Sequence, residues 1–117
     1  MRIMQIRSNP QLHREARETV NAWIHRREGR TYTNDVVLAD YCIRIARAEL
    51  GIELRTNWIR AECLFESHWQ KEGRRVSGLE GQFLAVFEDE ARVLACAKFV
   101  TCFEDLAALR LLMNVIT

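Results

Sequence analysis

Gly29, Gly51 and Gly73 stand 22 residues apart. Each follows a stretch whose apolar residues recur at helical spacing. Glycine enters the left-handed conformation just past a helix end without a Cβ clash. The spacing therefore divides residues 8–73 into three blocks of helix plus connection. The blocks share punctuation but only loose residue similarity, as in Arg17-Glu18, Ala39-Asp40 and Ala61-Glu62. That is less than a repeat architecture requires. The glycines constrain architecture and carry no chemistry.

In the first block, Asn9-Pro10 is a helix start, because Asn caps and Pro at the first helical position loses no needed hydrogen bond. Leu12, Ala16, Val20, Trp23 and Ile24 then share one face, which predicts a helix over 10–28. His13, Arg14 and His25 fall away from that stripe and read as solvated. In the second block, residues 31–35 supply caps for a helix over 35–50 with Val37, Leu38, Tyr41, Cys42, Ile45 and Ala48 on its apolar side. In the third, Trp58, Ala61, Leu64, Phe65, His68 and Trp69 predict a helix over 57–72 ended by Gly73.

The flanks read differently. Residues 1–7 alternate Ile with polar residues and suit a strand. Residues 74–81 hold two of the five glycines and read as a loop. Residues 82–88 and 92–100 are apolar and β-leaning around Glu88-Asp89-Glu90, which suits an antiparallel hairpin with an acidic turn. The rival is one long helix, since Phe83, Phe87, Leu94 and Ala97 also keep near-helical spacing. Thr101 and Glu104 form a capping box before a last helix over 106–113, with a strand over 109–116 as its rival. The expectation is one α+β domain over residues 1–117, with three amphipathic helices and a C-terminal helix on a small antiparallel sheet. An all-α bundle is the alternative.

Composition excludes several classes of function. The chain is 49% hydrophobic and 28% charged, the balance of an ordinary globular domain. No apolar run is long enough to cross a membrane, and residues 1–7 lack the continuous apolar region of a secretory signal. The expected location is the cytoplasm. Cys42, Cys63, Cys96 and Cys102 form no Cys-x-x-Cys pair and no zinc-finger spacing with histidine. They read as reduced, buried thiols.

No constellation identifies a reaction. His68 is the best-placed imidazole, but no nucleophile pairs with it by spacing. On a helix, Glu66 and His68 would point about 200° apart, so that segment is no metal site. No catalytic residue, cofactor or metal ligand is assigned. Arg26, Arg27 and Arg30 form the densest basic patch, with Arg74 and Arg75 a second. The net charge of +1 and the lack of a recognition motif weigh against nucleic acid. Trp and Arg anchor protein contacts more often than other residues. The candidate partner-binding residues are therefore Arg26, Arg27, Arg30, Trp58, Trp69, Arg74 and Arg75.

The strand MRIMQIR, the segment QFLAVFEDEARVLACAKFV and the terminal LRLLMNVIT together resemble the N-terminal half of a GNAT-type N-acetyltransferase. In that family the second segment would be strands two and three and the last would be strand four. The family's Arg/Gln-x-x-Gly-x-Gly/Ala turn, which holds the acetyl-CoA pyrophosphate, is missing, and no glycine follows Gly81. The resemblance implies a partial or degenerate acetyltransferase-like domain with no cofactor residue to carry over. The leading expectation is a small non-catalytic protein that binds another protein or itself, a regulator or inhibitor of the kind phages and mobile elements carry. A nucleic-acid accessory protein is the further alternative.

Overall fold

The computed structural model describes residues 4–116, with side chains described through Phe103. It is an α+β fold in the order β1 (Gln5–Arg7), α1 (Pro10–Glu28), α2 (Asp35–Leu50), β2 (Glu53–Ile59), β3 (Leu64–Lys71), β4 (Arg74–Arg75), β5 (Gln82–Ala85) and α3 (Glu88–Ile116). The sheet runs β1-β5-β3-β2, and β4 extends the β5 side of β3. All pairings are antiparallel except β1 with β5. Met1–Ile3 of the expected first strand lie outside the described residues.

The first two helices form where their end signals place them. The Asn9 side chain accepts from Leu12 N at 2.8 Å, Pro10 opens α1, and Gly29 closes it in the left-handed conformation. Asn34 caps α2 by accepting from Val36 N at 2.8 Å, and Gly51 ends it in the same way. Each cap is worth about 1 kcal/mol.

The third block is not a helix. Residues 57–72 belong to the β2–β3 hairpin, paired from Glu53 with Gln70 to Ile59 with Leu64. Thr56, Trp58, Phe65, Ser67 and Trp69 alternate onto one face, and the period-2 reading wins because it pairs seven residues with a neighbour. No glycine marks the tip. Cys63 takes φ 53° there, a left-handed position that non-glycine residues seldom occupy. Gly73 ends no helix. With Glu72 (φ 52°) it supplies the two positive-φ residues of the turn joining Lys71 to Arg74, the combination a tight hairpin needs.

The expected strand over 92–100 is also helical, and the expected terminal helix continues it as α3. The acidic triplet Glu88-Asp89-Glu90 is its first turn, where carboxylates complement the helix dipole. Ala91, Val93, Leu94, Ala95, Cys96, Phe99 and Val100 are all buried because α3 lies between the sheet and both other helices. A helix covered on most sides has no clean amphipathic period, so its sequence mimics a buried strand.

The core lies between the helices and one sheet face. Trp23 packs edge-on against Tyr41 and Phe99, and Trp69 lies tilted at 39° against Phe99 with ring centroids 5.2 Å apart. The Trp69 indole N–H donates to Ala95 O at 2.8 Å.

Candidate functional site

The parallel pair β1 and β5 ends where α1 and α3 begin. Ser8 N donates to Leu84 O at 2.8 Å, extending that pairing by one residue past β1. The N-terminus of α2 reaches the same place, and His13 ties the three helices together. Its Nε2 lies 2.9 Å from Asp35 Oδ2 at the start of α2, and its Nδ1 lies 3.5 Å from Glu90 Oε1 in the first turn of α3. The Ser8 hydroxyl donates to the other Glu90 oxygen at 3.3 Å, and Arg17 Nε is 3.4 Å from Asp35 Oδ1. His13 is thus partly buried rather than solvated, while His25 is exposed as expected. Both ring nitrogens of His13 face carboxylates, so the imidazole ties the starts of α2 and α3 to α1.

Over this junction lies an open cleft of about 590 Å³, lined by Asn9, Arg14 and Arg17 on one side and Val86, Phe87 and Glu90 on the other. A shallower hollow shares Arg17, Phe87 and Glu90 and adds Asp35 and Val36. Three large apolar side chains stand out here: Phe87 is 66% exposed, Val86 61% and Val36 42%. Phe87 is also the residue whose carbonyl accepts the first helical bond of α3, from Ala91 N at 3.2 Å. That capping position favours Ser, Thr, Asp or Asn, and phenylalanine gains nothing from it. Neither burial nor local backbone chemistry accounts for Phe87.

A second polar group lies on the sheet face away from the helices. Glu66 is only 4% exposed, and its carboxylate accepts from Asn57 Nδ2 at 3.0 Å and from His68 Nδ1 at 2.9 Å. The Glu-x-His spacing that would separate these side chains on a helix puts them side by side on a strand. Nδ1 donates to the carboxylate, and Nε2 is left without a protein partner among the described residues. Arg55 stands directly opposite His68 across the β2–β3 ladder and is exposed.

The candidate residues named from sequence do not form one surface. Arg26, Arg27 and Arg30 sit at the C-terminal end of α1, where Arg27 covers the Trp23 ring at 5.1 Å and reaches Tyr41 Oη at 3.4 Å. Arg74 and Arg75 are exposed on β4, and Trp58 is 51% exposed on β2 against Phe65. Trp69 must be withdrawn as a contact residue: it is 1% exposed and part of the core. Its apolar neighbours on a strand face, rather than on a crowded helix, leave it no route to the surface. Sequence reasoning missed Phe87 and Val86. Their signal was an apolar pair set directly before an acidic helix start.

All four cysteines are free, with Cys42 and Cys96 buried but Cys63 exposed at the hairpin tip, contrary to the expectation for that residue. Among the described residues no group of three or more His, Cys, Asp or Glu side chains is placed to hold a metal ion. No described helix is long and apolar enough to cross a membrane. Of the segments that carry the acetyltransferase resemblance, Gln82–Ala85 is a strand, whereas residues 92–100 and 109–116 are helical. No protein-family model, curated protein or solved structure matches the chain.

Proposed function

We propose that the protein acts by binding another protein, without catalysis of its own, through the end of the molecule where the three helix N-termini meet. The observation that carries this reading is Phe87. A large ring, 66% exposed, occupies a capping position that it serves poorly. A residue that breaks a local rule with no internal gain points to function. Around it, Val36 and Val86 supply further exposed apolar surface, and Arg14, Arg17, Asp89 and Glu90 supply a charged rim. An apolar centre inside a polar rim is the anatomy of a protein contact. A regulator or inhibitor in a reducing compartment such as the cytoplasm fits four free thiols and a site that presents surface instead of reactive groups.

The test is comparative capture. Tagged wild-type protein and the Phe87→Ser variant are exposed to the same lysate, with Arg74→Ala as a control on a distant surface. The reading expects a captured protein that disappears with Phe87→Ser and persists with Arg74→Ala. Equal capture by all three, with each variant folded by circular dichroism, sinks it.

A further inference from the structure

The strand β2 is a seven-residue sheet edge whose protection is limited to the exposed charges of Glu53 and Arg55. It pairs along its whole length with β3, and no described residue pairs with its other side. Natural edge strands are blunted by charged side chains, lysine above all, by proline, a bulge, shortness or a covering loop. Residues 53–59 contain no proline, glycine or lysine, and the register with β3 runs without a bulge. The opposite edge, β1, spans three residues. Trp58, the most exposed large apolar side chain of the hairpin, lies on β2 itself.

We infer that β2 is the contact between two copies of this chain, paired antiparallel about a two-fold axis at Thr56 so that one sheet runs through both protomers. The composition of the strand selects that register. A two-fold at Arg55 would set two guanidinium groups directly opposite each other, which is destabilising. A two-fold at Leu54 would run the pairing off the strand into Gly51, the end cap of α2, and one at Asn57 would run it past Ile59 into the hairpin tip at Arg60 and Ala61. A two-fold at Thr56 uses all seven residues. It places Leu54 opposite the partner copy's Trp58 twice, an aliphatic–aromatic pair on the face shared with Phe65 and Trp69. Arg55 meets Asn57, and Glu53 meets Ile59, so no like charges stand opposite one another. The open outer backbone groups of each strand then find partners, as a sheet edge requires.

The experiment has two arms. Sedimentation of the full chain should show a concentration-dependent dimer in the micromolar range, of twice the 13.7 kDa protomer mass. Trp58→Lys should weaken that dimer by at least about tenfold, since it removes an interface aromatic and adds an edge lysine. The second arm tests register without relying on that variant. Residues opposite each other at the two-fold lie about 4.5–5.5 Å apart at Cα, within disulfide range. In a background with Cys63→Ser and Cys102→Ser, Thr56→Cys should form a covalent dimer on mild oxidation, whereas Ile59→Cys, which leaves Arg55 in place and lies far from its own counterpart in this register, should not. A wild-type chain that stays monomeric throughout the micromolar range overturns the inference, and so does equal cross-linking of the two cysteine variants. Phe87→Ser leaves this edge untouched, so loss of dimer and loss of partner capture are separable results.

Discussion

His68 and Glu66 meet on the outer sheet face, imidazole Nδ1 to carboxylate oxygen at 2.9 Å, two residues apart on one strand. A carboxylate that is 4% exposed has given up its water, and its two protein donors, His68 and Asn57, replace it. The pair fixes the His68 ring, and the Asn57 bond to the same carboxylate ties the middle of β3 to β2.

That contact predicts a stability order. His68→Ala strips one donor from a buried carboxylate and should cost about 2–3 kcal/mol, the usual penalty for an under-satisfied buried polar group and more where it is charged. Glu66→Gln keeps an acceptor for Nδ1 and should cost less. Urea denaturation of both variants checks the order. An equal or reversed cost would mean that the carboxylate is not held by the ring.

Phe87→Ser should raise stability. Serine at that position can accept from the second or third amide of α3, and replacing an apolar N-cap by serine gains about 1 kcal/mol. The exposed ring gives up little when removed, since it is 66% in solvent. Thermal melts of wild type and variant read the change. Lower stability would show that the ring packs on something essential, and the argument that it serves a partner would lose its footing.

Two tryptophans on the hairpin should behave oppositely. Trp69→Phe loses the indole N–H bond to Ala95 O and leaves a void beside Phe99, costing about 1–3 kcal/mol. Trp58→Phe keeps a ring against Phe65 at a half-exposed site and should change monomer stability by less than about 0.5 kcal/mol. Urea midpoints at low protein concentration compare the two. Iodide quenching of fluorescence should reach Trp58 first.

What the sequence made legible follows from how each signal is generated. The helices α1 and α2 announced themselves because their ends carry chemistry that only a helix end needs: Asn9 with Pro10, Asn34, and glycines at positive φ. The hairpin was hidden because Trp58, Phe65 and Trp69 satisfy a helical spacing and a strand alternation at once. The tip that would have decided it carries Cys63 where a glycine was to be expected. The helix α3 was hidden for the opposite reason, since burial on most sides erased its period. The junction around His13 depends on three chain starts meeting in space, which no local pattern records. Phe87 was visible only as a violation, and a violation requires the helix start to be placed first.

Alkaline pH should weaken the fold through Cys96. Burial pushes its thiol well above the ordinary cysteine range, and the neighbouring Cys42 adds to the effect. The thiol is fully enclosed at the α2–α3 contact, with Sγ 3.9 Å from Ala39 O. In the unfolded chain the same group ionises near about pH 8.5. Below that range both states hold the proton, and the thiol contributes no pH dependence. Above it the unfolded chain releases a proton that the folded one retains, so stability falls as pH climbs towards the raised folded value. Urea midpoints measured upward from neutral pH should therefore decline, and the decline should be shallower in Cys96→Ala, whatever that variant loses in absolute stability through its cavity. Thiol labelling gives the matching readout: Cys63 should react at once in the native protein, and Cys96 only as the fold opens. Prompt native-state labelling of Cys96 would show that the α2–α3 contact is not closed.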